Sequence, residues 1–489
     1  MKKITICLLV NLFFVSISMF SQNEFLDQTF GTNGMISQNY TTDTGSGLES
    51  DFKEIILQED GSFITASNFH LHGADPRYII NRYNKYGILD QSFGINGFVT
   101  SSLQNNIGDV ELQSSGKIVG FAKEGYFFTP GSYLFRYTSD GIIDTSFGTN
   151  GIIADPENNI QSLSVQSDDN ILVVKTPGNE RAIAGYTLVR YKPDGALDGD
   201  FGSNGAVDFS LPLGNITLHE VVSLKNGKIL ISGVFGLPDP NDYRRDIFFI
   251  RLNNDGSLDM SFGEGGLKVF DFDEVDDTLN VLELSNGKMV FSASSYGLLP
   301  GSTVVNRLIR LNEDGNLDGA FHLDGIKIID YPILGLQSLK ELPDGKLIAA
   351  GTYETSENPT PENNQEPAAI VIARYDTNGD SDENFGNSGY ITTTLNFNRA
   401  INGKITIQSD GKILAGTTFC EAWFSCHPHT VIFRYNPDER LANAEFGENN
   451  AFMIYPNPFR ETVTIDFTLN QPEVLSMDLY SYDGRKVTT

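Results

Sequence analysis

Cys420, Cys426, His427 and His429 crowd into one short segment, Phe419-Cys420-Glu421-Ala422-Trp423-Phe424-Ser425-Cys426-His427-Pro428-His429. Thiolates and imidazoles are transition-metal ligands, so the segment admits a metal site, although its spacing matches no standard zinc pattern. An oxidising compartment would instead join Cys420 to Cys426 as a loop-closing disulfide and remove two of those ligands. His70 and His72 supply a second imidazole pair. They would join His427 and His429 only if the two ends of the chain were spatial neighbours. Trp423, the sole tryptophan, and the nearby Phe424 could stack on a sugar or pack beneath their own loop. Tyr126 and Tyr243 are similar loop aromatics.

Asp376-Thr377-Asn378-Gly379-Asp380-Ser381-Asp382 has the oxygen-rich look of a calcium loop. Ser381 stands where an EF-hand needs glycine, and Asn387 where it needs a bidentate glutamate. An ordinary Asp-Gly turn explains the segment better, with weak calcium binding left as a property acidic turns can have. No cofactor is expected. Nucleophile elbows, phosphate loops and zinc-protease helices are missing from the chain. With 63 acidic residues, carboxylate pairs of the glycosidase type remain open, since sequence gives no distances.

The elements that must position these residues come from a repeat. Leu26-Asp27-Gln28-Thr29-Phe30-Gly31-Thr32-Asn33-Gly34 returns in edited form around Phe93, Phe147, Phe201, Phe262, Phe321, Phe385 and Phe446. The period is roughly 59 residues. Each interval also holds a hairpin such as Ile407-Gln408-Ser409-Asp410-Gly411-Lys412-Ile413-Leu414 and an Arg-Tyr-x-x-Asp-Gly phrase such as Arg136-Tyr137-Thr138-Ser139-Asp140-Gly141. Asp-Gly suits tight turns because glycine accepts positive φ, and short apolar runs between such turns read as strands. Four strands per unit and seven units predict an all-β fold, a seven-bladed β-propeller spanning residues 22–450. The first phrase precedes any complete unit, so it should close the ring by supplying the last blade's fourth strand.

Residues present in every unit should build the blade. The Arg82, Arg136, Arg190, Arg251, Arg310, Arg374 and Arg434 series, with Asp90, Asp144, Asp198, Asp259, Asp318 and Asp382, is therefore read as a recurrent structural Arg–Asp pair. Function should lie in what does not repeat, chiefly the loop between second and third strands, where the aromatics and histidines above fall.

These phrases resemble the delta-60 repeat family, which implies a β-propeller and no generally established activity. Two units depart from it. Asp168-Asp169-Asn170 replaces the Asp-Gly-Lys type of hairpin, and Phe321-His322-Leu323-Asp324-Gly325 has lost the first glycine of Phe-Gly-x-x-Gly.

The two ends differ in character. Lys2 and Lys3 followed by the apolar run Ile4–Phe20 read as a signal peptide over residues 1–21, with no transmembrane anchor. Residues 451–489 open with Tyr455-Pro456-Asn457-Pro458-Phe459 and continue with alternating β-type runs. They resemble the C-terminal sorting domain of type IX secretion in Bacteroidetes, a small β-sandwich-like domain, here in partial form. That resemblance implies the type IX machinery as a partner.

Lys and Arg number 34 against 63 acids, a net charge of −29, so no basic surface is available for nucleic acid. The expectation is a monomeric, secreted or cell-surface scaffold that binds an extracellular protein or glycan. The alternatives are a propeller enzyme acting on extracellular polysaccharide through channel carboxylates, and a purely structural surface component.

Overall fold

The computed structural model of the chain describes residues 2–7, 25–38, 49–70, 77–101, 105–124, 131–177, 185–209, 215–236, 244–297, 304–331, 333, 335–353, 368–394, 399–420, 429–436, 452–455, 462–467, 479–480 and 486–487. The chain divides into two compact units, Ser21–Asp438 and a smaller one of Met1–Phe20 with Glu439–Thr489. Among the described residues every regular element is a strand, and no helix is long and apolar enough to cross a membrane.

The larger unit is built of four-stranded antiparallel meanders. In the first, Glu49–Leu57, Phe63–His70, Arg77–Tyr83 and Phe98–Thr100 pair in chain order. Gly61 turns the first hairpin at φ 81°, which a side chain would resist. Later meanders repeat the scheme, and those of residues 215–270 and 275–328 are linked by one parallel bridge, Arg245↔Val275. The last meander, Arg399–Ile407, Ile413–Cys420 and His429–Tyr435, receives its fourth strand from the other end of the unit. Met35–Gln38 pairs antiparallel with it, Met35 opposite Phe433 and Gln38 opposite Thr430. Thr418 Oγ1 accepts from Phe52 N at 2.7 Å, and Asn402 Nδ2 donates to Asp51 Oδ1 at 2.8 Å, so first and last blades adjoin. The ring is closed.

The repeated phrase turns out to be the joint between blades. Arg82 Nε lies 2.8 Å from Asp90 Oδ2, and the pair recurs at 2.6–2.9 Å through Arg374–Asp382. The last blade takes its aspartate from the first phrase, with Arg434 Nη2 2.9 Å from Asp27 Oδ2. Each guanidinium also lies over the phrase's phenylalanine, 4.5–4.9 Å from the ring centroid. Arg82 then donates to Ser139 O at 2.7 Å and Arg434 to Lys85 O, turn carbonyls of the following blade, and Arg136, Arg190, Arg251 and Arg310 do the same. Phe30, Phe93, Phe147, Phe201, Phe262, Phe321 and Phe385 are fully buried. Each contributes roughly 2 kcal/mol by leaving water. The ring of Phe93 presses on Gly141 of the next blade, where a Cβ would stand 2.9 Å from it. That contact, together with φ 76°, explains why the second Asp-Gly turn keeps its glycine.

Both departures from the repeat are compensated by a turn of the adjoining blade. Asp169 occupies the hairpin's left-handed position at φ 66°, and its carboxylate accepts from Ser114 N and Ser114 Oγ at 2.7 and 2.6 Å. His322 sits at φ 47° where the other copies have glycine, and its Nδ1 lies 2.8 Å from Asp380 Oδ1.

In the smaller unit, Thr462–Phe467 pairs antiparallel with Phe452–Tyr455 on one side and Lys2–Cys7 on the other. The basic start of the predicted leader is thus a strand here. Leu479–Tyr480 pairs with Lys486–Val487.

Candidate functional site: the axial cavity

Each innermost strand is interrupted once. The register breaks between Phe52 and Glu54, Ile107 and Asp109, Ile160 and Ser162, Leu218 and Glu220, Thr278 and Asn280, Leu336 and Ser338, and Ile401 and Lys404. A bulge re-aims the residues around it. The residues that follow the bulges are Glu54, Asp109, Ser162, Glu220, Asn280, Ser338 and Lys404. Several lock one blade to the next by accepting a backbone N–H from it. Ser162 Oγ accepts from Val221 N at 3.1 Å, Glu220 Oε2 from Val281 N at 3.2 Å, Asn280 Oδ1 from Leu339 N at 2.9 Å and Ser338 Oγ from Ile405 N at 3.2 Å.

Six of these innermost strands surround a cavity of about 210 Å³, which places it on the ring axis. Its chemically active walls are Glu54, Asp109, His219, Glu220, Asn280 and Lys404. Lys404 Nζ stands 3.4 Å from Glu54 Oε2. The negative charge of Glu54 outweighs burial and holds the Lys404 ammonium above its ordinary range, with Asp109 and Glu220 adding to the effect. Burial and then the charge of Glu54 push Asp109 up to about 7. Burial pushes Glu220 up to about 7 against the pull of Lys404. Just along the strand, burial and the charge of Asp109 raise Glu111 to about 8. The Oε2 of Glu111 accepts from Val165 N at 2.8 Å. His219 Nδ1 is 3.1 Å from Thr278 O and 3.3 Å from Asp277 Oδ1, two acceptors, so Nδ1 is the ring nitrogen placed to donate. The cavity is therefore rich in acceptors, strongly polar, and able to hold or exchange protons near neutrality.

Most of the residues singled out for binding or metal ligation, His72, Tyr126, Tyr243, Trp423, Phe424, Cys426 and His427, lie outside the described residues. His70 and Cys420 end strands, opposite Glu49 and Arg399, and His429 begins one opposite Phe419. His70 and His429 thus sit on adjoining blades at strand ends that face the variable loops. The Asp376 turn is self-capped, since Asp376 Oδ1 accepts from Asn378 N at 2.8 Å and Asp380 N at 2.9 Å. Asp382 serves Arg374 and Lys346.

The bulge ring was missed from sequence, yet a signal exists. Each member is the seventh residue before the hairpin's left-handed position, Gly61 for Glu54 and Gly411 for Lys404. Units superimposed on that turn show framework columns that hold, while in this column the residue passes from acid through neutral to base.

A profile described as a β-propeller domain of unknown function, DUF5122, matches residues 224–262, 284–321 and 342–385. Each matched stretch runs from a hairpin to the buried phenylalanine. The chain is a β-propeller repeat protein. No curated protein matches its sequence. Similar solved structures include a protein of unknown function from Dyadobacter fermentans, at 11% identity and TM-score 0.42, covering 82% of this chain and 100% of that one. A family PL25 ulvan lyase is 11% identical, with TM-score 0.45 and coverage of 83% and 96%. The endo-arabinase of Bacteroides thetaiotaomicron is 13% identical, with TM-score 0.32 and coverage of 57% and 93%. What the lyase and the arabinase act on is a property of those proteins.

Proposed function

We propose that this chain is an exported, seven-bladed propeller that binds an extracellular glycan or protein through its axial cavity and the variable loops of one face. The observation that carries the reading is the contrast between constant and changing columns of the repeat. The Arg, Asp and Phe positions are shared by every blade, as framework must be. The residues after the bulges run Glu54, Asp109, Ser162, Glu220, Asn280, Ser338, Lys404, a sequence of charges that blade construction alone does not require. Specificity comes from such uneven placement of polar groups in a concave site. Export, a secreted or surface location and a sorting role for residues 451–489 belong to the same proposal. So do the Cys420–Cys426 disulfide and a monomeric state.

A second reading has its own support. Asp109 and Glu220, each at about 7, would be partly protonated at neutrality, as a general acid on a polysaccharide must be. One experiment separates the two. The full chain is applied to a panel of extracellular polysaccharides and surface proteins, with binding and turnover read together. Binding weakened at least tenfold by Trp423→Ala or Glu220→Gln, without turnover, supports the binding module. Turnover abolished by a single channel carboxylate change replaces it with the enzyme. Absence of both refutes binding and leaves a structural component.

A further inference from the structure

The two cavity carboxylates farthest from neutralisation are Asp109 and Glu220. Among the described residues, Lys404 pairs with Glu54 at 3.4 Å and Lys53 with Asp51 at 2.6 Å, and Lys340 acts on Glu220 by its charge without an ion pair to it. Among the described residues Asp109 has one hydrogen-bond partner, the Val110 N–H at 2.7 Å. Glu220 likewise has one, the Val281 N–H at 3.2 Å. Each carboxylate keeps an oxygen without a hydrogen bond, and the charge of Lys404 reaches them only from beyond contact. A separate observation points to a ligand. Ser232 lines the same cavity, is 2% exposed, and its hydroxyl has no hydrogen-bond partner. A buried hydroxyl left without a partner is destabilising, and a ligand group would recover that cost.

The cavity also limits size and character. About 210 Å³ suits a monosaccharide-sized body better than a bare ion. The open oxygens of Asp109 and Glu220 ask for donors, which hydroxyl and ammonium groups supply. We infer that the axial cavity holds a monosaccharide-sized ligand carrying an ammonium group, an amino sugar by chemical class, seated between Asp109 and Glu220 with a hydroxyl on Ser232. The inference rests on the binding reading above and names the ligand class for its cavity. Burial is the chief cause that raises the proton affinity of both carboxyls, and a cation placed between them would offset that cost of burying charge.

The test is calorimetric titration of the full chain at pH 7 with glucosamine, N-acetylglucosamine and glucose, and with calcium alone. Glucosamine should bind at least tenfold more tightly than the two neutral sugars. Asp109→Asn and Glu220→Gln should each reduce glucosamine affinity about tenfold more than they reduce glucose affinity, and Ser232→Ala should reduce all three alike. Melting curves and circular dichroism confirm that each variant is folded, and Ser232→Ala supplies a mild third variant. Equal affinity for glucosamine and glucose overturns the ammonium inference while leaving glycan binding intact. Calcium binding that excludes glucosamine also overturns it, in favour of a metal. Glucosamine binding in a chain that ignores every polymer and protein on the panel upholds the cavity inference and defeats the wider reading.

Discussion

Removing the Asp259 carboxylate should destabilise the propeller severely, and the structure supplies the magnitude. Asp259 Oδ2 accepts from Arg251 Nε at 2.6 Å and Lys228 Nζ at 2.7 Å, while Oδ1 accepts from Ser261 N and Ser261 Oγ at 3.1 and 2.7 Å. Arg251 and Asp259 are 4% and 5% exposed, so Asp259→Ala leaves a guanidinium stranded in the joint. Stranding one member of a buried pair costs about 3–5 kcal/mol. Lys228, at 30% side-chain exposure, can return to water and adds little. For a cooperative ring of about 410 residues, 4 kcal/mol corresponds to a fall in Tm of about 5 °C. Urea denaturation should show a lower midpoint at unchanged slope. Asp90→Ala makes a graded comparison, because that carboxylate is 32% exposed and should cost about 1 kcal/mol. Replacing both partners, as Arg251→Met with Asp259→Leu, should cost less than Asp259→Ala alone. A loss below 1 kcal/mol for Asp259→Ala, or strict additivity in the double variant, would refute the view that the repeated pair holds the blades together.

Other outcomes follow from the same geometry. Gly141→Ala forces a Cβ to 2.9 Å from the Phe93 ring at φ 76° and should lower stability by about 2–3 kcal/mol, read as a urea midpoint shift. His322→Gly removes a left-handed histidine but also its contact with Asp380, and should raise stability by up to about 1 kcal/mol. The cavity carboxyls set a pH dependence. Asp109, Glu111 and Glu220 hold protons to about 7, 8 and 7, whereas unfolded carboxyls release them near 4. Between those limits the folded state binds more protons, so stability falls as pH rises. The groups facing them are Glu54, Lys53, Lys340, Lys404 and the His219–Asp277 pair. Tm should therefore drop from pH 5 to pH 8, and Glu220→Gln should flatten that slope. At the acid end the sign reverses. Burial raises Asp27, but hydrogen bonds from Thr29 and Lys412 prevail and bring it down to about 2. The stability it confers is complete above about 4 and disappears as pH falls towards 2.

The framework was legible because it repeats and because its chemistry is local. Phe93 with Gly94, or Asp140 with Gly141, prescribes a turn whatever surrounds it. Ring closure was legible too, from a fourth-strand phrase placed before any first strand. Even so, the partner of Arg434 was not identified from sequence, since Asp27 lies at the opposite end of the unit. The cavity was invisible for a different reason. Glu54 or Asp109 alone is an ordinary acid on a strand, and its direction depends on a bulge that exists only once Phe52 or Ile107 has paired with a neighbouring strand. Asp169 and His322 read as defects in the repeat. Their compensation lies in Ser114 and Asp380, on other turns, which pattern reading along one chain does not connect.

The borrowed strand Met35–Gln38 also sets a timetable. A chain that emerges N-terminus first exposes this segment early, and its partner His429–Tyr435 arrives roughly 400 residues later. Closing so large a loop costs about 5 kcal/mol in chain entropy, so this pairing should come last, after the other blades are in place. Until then the waiting edge is only four residues long, too short to recruit a stray strand firmly. The axial cavity, walled by both the earliest and the latest strands, comes into being at that final step. An unfinished chain would have blades but no axial cavity.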